Sequence, residues 1–180
     1  QRVDARYRMS TVTERVNEHI EANPGVHFTA VREDLDIATG QTQYHLRKLE
    51  RAGDIVAEEI RGQTHYYDRS YDPWERRVLA FARRETARAL LTHLIGDGPL
   101  GAAELADRLD LSRSTVAWHV SSLNEAGMVE KSYAEHGRVV VELVRPAETR
   151  RLLGDVTPSF ADRLVDRFTR LIDESLADTR

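Results

Sequence analysis

Gln41, Gln43, Arg47 and Lys48 fall within one eight-residue stretch, and between them they carry the groups that a base edge or a phosphate would meet. A glutamine amide can pair with the two Hoogsteen-edge groups of adenine, and a guanidinium or ammonium can reach guanine or a phosphate oxygen. Thr39 and Tyr44 add hydroxyls to the same stretch. Seventy-four positions later Arg113, Ser114, Thr115, Trp118 and Ser121 form a second set, with a single cation and a large indole. Arg61 and Arg138 stand beside glycines in short polar turns, where they can meet phosphate or the minor groove. Each phosphate neutralised would steepen the logarithmic salt dependence of binding by a slope of roughly 0.9.

These positions match because the segments around them match. Val26 to Val56 repeats without a gap 74 positions on, as Leu100 to Glu130. Val31 meets Leu105, Leu35 meets Leu109, Ile37 meets Leu111, Tyr44 meets Trp118, His45 meets His119, Leu49 meets Leu123, and Gly53 meets Gly127. A repeat sets architecture before local reading does, and this period is too long for a solenoid. Two small domains in tandem are expected.

The elements that must carry these residues read as follows. Thr11 and Glu14 form a capping-box signature, with Val12, Val16 and Ile20 at helical spacing until Asn23-Pro24-Gly25. A brief extended Val26-His27-Phe28 leads to a second helix, Thr29 to Leu35. Asp36 to Gly40 is read as the turn and cap of a third helix that turns Thr42, Leu46 and Leu49 inward and ends at Gly53. Strands Asp54 to Ile60 and Thr64 to Asp68 follow, joined through Arg61-Gly62-Gln63. The second copy gives helices Ala87 to Ile95, Ala102 to Leu109 and Ser114 to Ala126, the last capped by Ser112. Strands Met128 to Tyr133 and Val139 to Val144 close it around Glu135-His136-Gly137. Between the copies, Pro73 opens a connecting helix, Trp74 to Arg84, allowed to run on into the next helix. Past Pro146 a short helix, Ala147 to Leu153, and a longer one, Ser159 to Asp178, are expected. The fold class is therefore mainly α with small β-hairpin wings (α+β): two tandem winged helix-turn-helix domains plus a C-terminal helix. The divisions are 1–70, a linker 71–84, 85–145, and a helical segment 146–180.

Composition excludes several classes. The absence of cysteine removes disulfides, thiolate metal sites and cysteine nucleophiles together. No apolar run is long enough to span a bilayer, and no signal peptide is visible, so a cytoplasmic location is expected. The chain begins at Gln1, which leaves an upstream membrane tether open. A net charge of −4 is unlike a generally basic nucleic-acid binder, so binding would depend on local patches. The sequence shows no paired acids in a cleft-forming context, no phosphate-cradling glycine loop and no nucleophile elbow. The expectation is a non-enzyme with no cofactor and no metal.

Several residues carry a plainer reading beside the functional one. Tyr44 and Trp118 could pack against their wings, and His45 and His119 fit a structural hydrogen bond better than a ligand role. The pairs Arg76-Arg77 and Arg83-Arg84 fit a solvated helix, with DNA-backbone contact as the alternative. Phe160, Leu164, Phe168, Leu171 and Ile172 form a helical apolar stripe suited either to the core or to a homodimer interface.

The run Leu111-Ser112-Arg113-Ser114-Thr115-Val116-Ala117-Trp118-His119-Val120-Ser121-Ser122-Leu123-Asn124-Glu125-Ala126-Gly127-Met128-Val129 resembles the recognition-helix signature of ArsR-like and MarR-like winged helix regulators. With Thr39-Gly40-Gln41-Thr42-Gln43-Tyr44-His45-Leu46-Arg47 in the first copy, the arrangement is similar to the two-domain winged helix transcriptional regulators of archaea. The likeness covers about residues 10 to 145. It implies a sequence-specific binder of double-stranded DNA, working as a homodimer and open to an unknown small-molecule effector. The missing cysteines depart from the thiolate metal sensors of the ArsR-like group. Two rival readings stand beside it: a tandem winged helix adaptor that binds protein instead of DNA, and a ligand-gated sensor.

Overall fold

A computed structural model of the chain describes residues 11–134 and 137–157. The expected helix Ser159 to Asp178, its stripe Phe160, Leu164, Phe168, Leu171 and Ile172, and the tip residues Glu135 and His136 lie outside the described residues. The chain divides into two compact units, Gln1–Tyr71 and Asp72–Arg180.

In the first unit, α1 (Val12–Ala22) begins at Thr11, whose hydroxyl accepts from the Glu14 amide at 3.2 Å while Glu14 Oε2 accepts from the Thr11 amide at 2.7 Å. Two of the amides left over at a helix start are thereby satisfied. β1 (Val26–His27), α2 (Phe28–Asp34) and α3 (Thr39–Ala52) follow, then a hairpin of β2 (Ile55–Ile60) and β3 (Gln63–Asp68). α1 packs on α3, and β1 adds to the free edge of β3, pairing Val26 with Tyr66 and His27 with His65. Val16, Ile20, Ala30, Val31, Leu46, Leu49, Ile55 and Tyr67 make the core. Between β2 and β3 the turn is two residues, because Ile60 pairs with Gln63. Arg61 and Gly62 both have positive φ, 53° and 77°, as a hairpin turn that follows the twist of its strands requires.

In the second unit, α4 (Pro73–Ala82), α5 (Glu85–Asp97), α6 (Ala102–Leu109) and α7 (Arg113–Glu125) precede a hairpin of β4 (Val129–Tyr133) and β5 (Val139–Leu143), and α8 (Pro146–Asp155) follows. A single bridge of Leu100 to Val141 stands where β1 stands in the first unit, since Leu100 is the repeat partner of Val26. Its core includes Val78, Leu79, Leu90, Leu91, Leu105, Val116, Leu123, Met128, Val140 and Leu152.

The helix expected as a solvated connector is instead core. α4 buries Trp74, Val78, Leu79, Ala80, Phe81 and Ala82 against α5 and α8. It does not run on into α5: Arg84 is extended, with φ −93° and ψ 124°. Of the two arginine pairs read as solvating groups, Arg83 is buried and Arg77 donates from Nε to the Ala126 carbonyl at 3.0 Å. An apolar stripe wider than the simple spacing of four explains the difference, because Leu79, Ala80 and Phe81 extend the buried face around the helix. Asp72 supplies the start signal, its carboxylate accepting from the Trp74 and Glu75 amides at 2.8 and 2.9 Å.

Candidate nucleic-acid interface

α3 presents two faces because its apolar positions recur at helical spacing. Thr42, Leu46 and Leu49 are at most 4% exposed, whereas Thr39, Gly40, Gln41, Gln43, Tyr44, Arg47 and Lys48 are all exposed. The residues singled out from the first copy thus share one uncovered arc. Ala38, inside the expected Asp36 to Gly40 turn and cap, is the N-cap, and no side chain caps the end. Thr39 and Gly40 are therefore helical, in the first turn of the exposed arc. At the other end Gly53 takes a left-handed φ of 75°, which lets its amide return to the Glu50 carbonyl at 3.0 Å.

Tyr44 does not pack against its wing, being 62% exposed. Its ring lies edge-on to His45, with centroids 5.1 Å apart. His45 is half-buried, and its Nδ1 is 2.9 Å from the Thr13 hydroxyl, a structural bond that fastens α3 to α1. The charges of Arg47 and Glu50 both act on the buried phenol of Tyr66. Burial chiefly, then the Glu50 carboxylate, raises its pKa, while Arg47 pulls it back. One exposed cation escaped the sequence reading. Arg51 lies four positions beyond Arg47, so it extends the same basic edge, and that spacing was the available signal. Along α3, Arg47, Lys48 and Arg51 face one carboxylate, Glu50.

α7 repeats the rotation. Val116, Val120 and Leu123 are buried at the positions of Thr42, Leu46 and Leu49, and Arg113, Ser114, Ala117, Trp118 and Ser121 are exposed. Thr115 is half-buried. Trp118 is 42% exposed and edge-on to His119 at 4.8 Å, matching the Tyr44 and His45 pair. Ser112 caps this helix as expected, its hydroxyl accepting from the Thr115 amide at 3.0 Å. The turns leading into the two helices also agree: Asp36 and Asp110, repeat partners, both take a left-handed φ, 50° and 52°. Charge differs between them. α7 has Arg113 as its one cation and Glu125 as its one acid.

The wing cations are placed unequally. Arg61 is exposed at its hairpin turn, with Glu59 exposed on the adjoining strand. Arg138 is exposed too, but its guanidinium is 4.0 Å from Glu104, which also takes a 2.9 Å hydrogen bond from Arg108. Arg108 donates in addition to Asp97 at 2.8 Å, and His93 lies 3.2 Å from the same carboxylate oxygen. A hydrogen bond from His93 is the main reason the Asp97 carboxyl sits below its usual range.

Among the described residues no three histidine, aspartate or glutamate side chains come together as a metal site would require, and no helix is long and apolar enough to cross a membrane. The two units, each with a helix exposed along one face (α3, α7) and a hairpin following it in the chain, define tandem winged helix-turn-helix domains. Comparison agrees: a family model described as an N-terminal HTH domain matches residues 10–79, and one described as a helix-turn-helix domain matches residues 82–132. A protein of Methanocaldococcus jannaschii described as an uncharacterized HTH-type transcriptional regulator is 27% identical over 125 residues, which is 69% of this chain. The chain spans 31% of that relative's length. The two matches place one helix-turn-helix domain in each half of the chain.

Proposed function

We propose that the protein is a sequence-specific binder of double-stranded DNA that regulates transcription, with α3 as principal reader and α7 as a second. The observation that carries this is the face of α3: a polar, partly cationic arc from Thr39 to Arg51 is exposed in its own unit while the opposite face is sealed in the core. A major groove is wide enough for one α-helix, and residues near the start of the reader helix meet base edges. Gln41 and Gln43 suit adenine, and Arg47 and Lys48 suit guanine or phosphate. In the second set Arg113, Ser114, Thr115, Trp118 and Ser121 occupy the equivalent arc, with Arg61 and Arg138 at the wings for the backbone. The name of the relative, a transcriptional regulator, supports the same reading.

A homodimer would place two first readers across a two-fold axis on half-sites about 10 base pairs apart, or a multiple of that. The stripe Phe160, Leu164, Phe168, Leu171 and Ile172 is the candidate interface, and sedimentation of Leu164→Asp against the parent chain tests it. A shift from dimer to monomer is expected, and an unchanged mass removes that role.

The central test is a gel-shift series across salt with duplex from the promoter region of the protein's own gene and from a random library. Binding at low salt that weakens for Arg47→Ala and Lys48→Ala is expected. If no duplex is bound, or both variants bind as the parent does, the reading fails.

A further inference from the structure

We infer that α7 selects thymine through its 5-methyl group, using Trp118 and Ala117, and so supplies a kind of base contact that α3 does not. This rests on the DNA-binding reading above and names the base edge that the second helix would prefer.

The argument begins with what α7 lacks. Its exposed arc holds one cation, Arg113, and no amide before Asn124, so it has few groups for the hydrogen-bonding edges of guanine or adenine. What it exposes instead is apolar: an indole 42% open to solvent, beside Ala117. The major groove offers one apolar feature to such a surface, the thymine methyl. The neighbours of Trp118 on that face, Ser114, Ala117 and Ser121, are all small, so the helix can approach the base edges without a long side chain holding it off. No carboxylate occurs from Arg113 to Asn124, so nothing along those turns repels the phosphates on either side of the groove.

Position and rigidity complete the case. Trp118 occupies the place of Tyr44 in the repeat, on a helix rotated alike against its core and entered through the same left-handed aspartate. The edge-on imidazole of His119 limits the indole's rotation as His45 limits the phenol of Tyr44. The two readers therefore present an aromatic ring at one equivalent point, a phenol in the first and in the second a larger indole whose one polar group is its Nε1–H. A fixed apolar ring loses little side-chain entropy on contact.

The experiment uses the full chain and the duplex it enriches from a randomised double-stranded library, made once with thymine and once with deoxyuridine throughout. The two duplexes differ only in the 5-methyl groups. In competition at constant salt, the parent chain is expected to prefer the thymine duplex by about fourfold for each methyl covered. Trp118→Ala should bind both duplexes equally, Trp118→Phe should keep part of the preference, and Tyr44→Ala should keep all of it. Thermal melting of each variant checks that its second unit is folded. Equal binding of the two duplexes by the parent, or a preference that survives in a folded Trp118→Ala, overturns the inference. An enriched duplex that is weakened by Arg47→Ala yet indifferent to uracil leaves the DNA-binding reading standing and removes this one alone. Failure to enrich any duplex removes both. A Trp118→Ala chain that loses affinity for both duplexes by the same factor also overturns it, since the indole would then serve something other than a methyl, such as a protein contact.

Discussion

The indole Nε1 of Trp74 donates to the carbonyl of Gly127 at 2.8 Å, tying the first turn of α4 to the residue that ends the α7 segment and begins the wing. Arg77, three residues along α4, donates to the neighbouring Ala126 carbonyl, and the guanidinium of Arg145 lies 4.6 Å over the Trp74 ring. The far end of the second reader is thus held by a helix that a sequence reading takes for a linker. Trp74→Phe keeps most of the ring packing and deletes the donor, while the exposed Gly127 carbonyl turns to water, at a cost of about 1 kcal/mol. Calorimetry should show the second unit melting earlier while the first is unchanged, and equal melting of both would refute the tie.

Gly53 and Gly127 end the two readers with φ of 75° and 71°, in open space on the side where a Cβ would grow. Since no atom blocks a methyl group there, any penalty for alanine is backbone strain alone. Gly53→Ala and Gly127→Ala should each cost about 1 kcal/mol. Chemical denaturation would measure it, and similar losses at both positions are expected. A neutral result at either would mean that its helix end can relax out of the left-handed region.

The capping box at Asp72 gives a pH prediction. The Glu75 amide above all, opposed by burial and helped by the Trp74 amide and the Arg145 and Arg76 charges, holds the Asp72 carboxyl below its usual range. A carboxyl with a depressed folded pKa adds stability that is complete above the unfolded value, near 4. That stability is lost as pH falls through the lower folded value. Asp72→Ala, which removes an N-cap worth about 1 kcal/mol, should therefore trail the parent chain at neutral pH and approach it in strong acid. Melting curves from pH 7 down to about 2 would show whether the gap narrows. A gap independent of pH rules out a role for the carboxylate charge.

Arg51 extends the basic edge of α3 beyond Arg47 and is exposed. In the DNA-binding reading it is a backbone contact and carries no sequence information. Arg51→Gln should lower affinity for all duplexes alike and reduce the magnitude of the salt slope by about 0.9. Arg47→Ala should in addition change which sequence is preferred. Salt titrations on the selected duplex and on a scrambled one separate the two, and a sequence-dependent loss for Arg51→Gln would count against its assignment to the backbone.

Much of this protein could be read from residue order, because the information was local or repeated. Period and type were enough for the three helices and hairpin of each unit, for the capping box at Thr11, for the cap at Ser112, and for the inward Thr42, Leu46 and Leu49. The outward arc of α3 follows from them, since a helix whose one stripe is buried leaves the other side to solvent. What sequence order left open was the environment of side chains whose neighbours lie far along the chain. Tyr44 and Trp118 could have gone into the wings, and only the packing shows both rings standing out, each braced by the histidine next to it. Arg83 reads as a surface cation and is buried. Arg138 reads as a free phosphate contact and sits against Glu104. α4 reads as a linker and proves to be the brace on Ala126 and Gly127, roughly fifty residues away in sequence. Periodicity encodes which side of a helix is apolar, but tertiary contact decides what that side meets, because burial is a property of the assembled layers and not of any one segment.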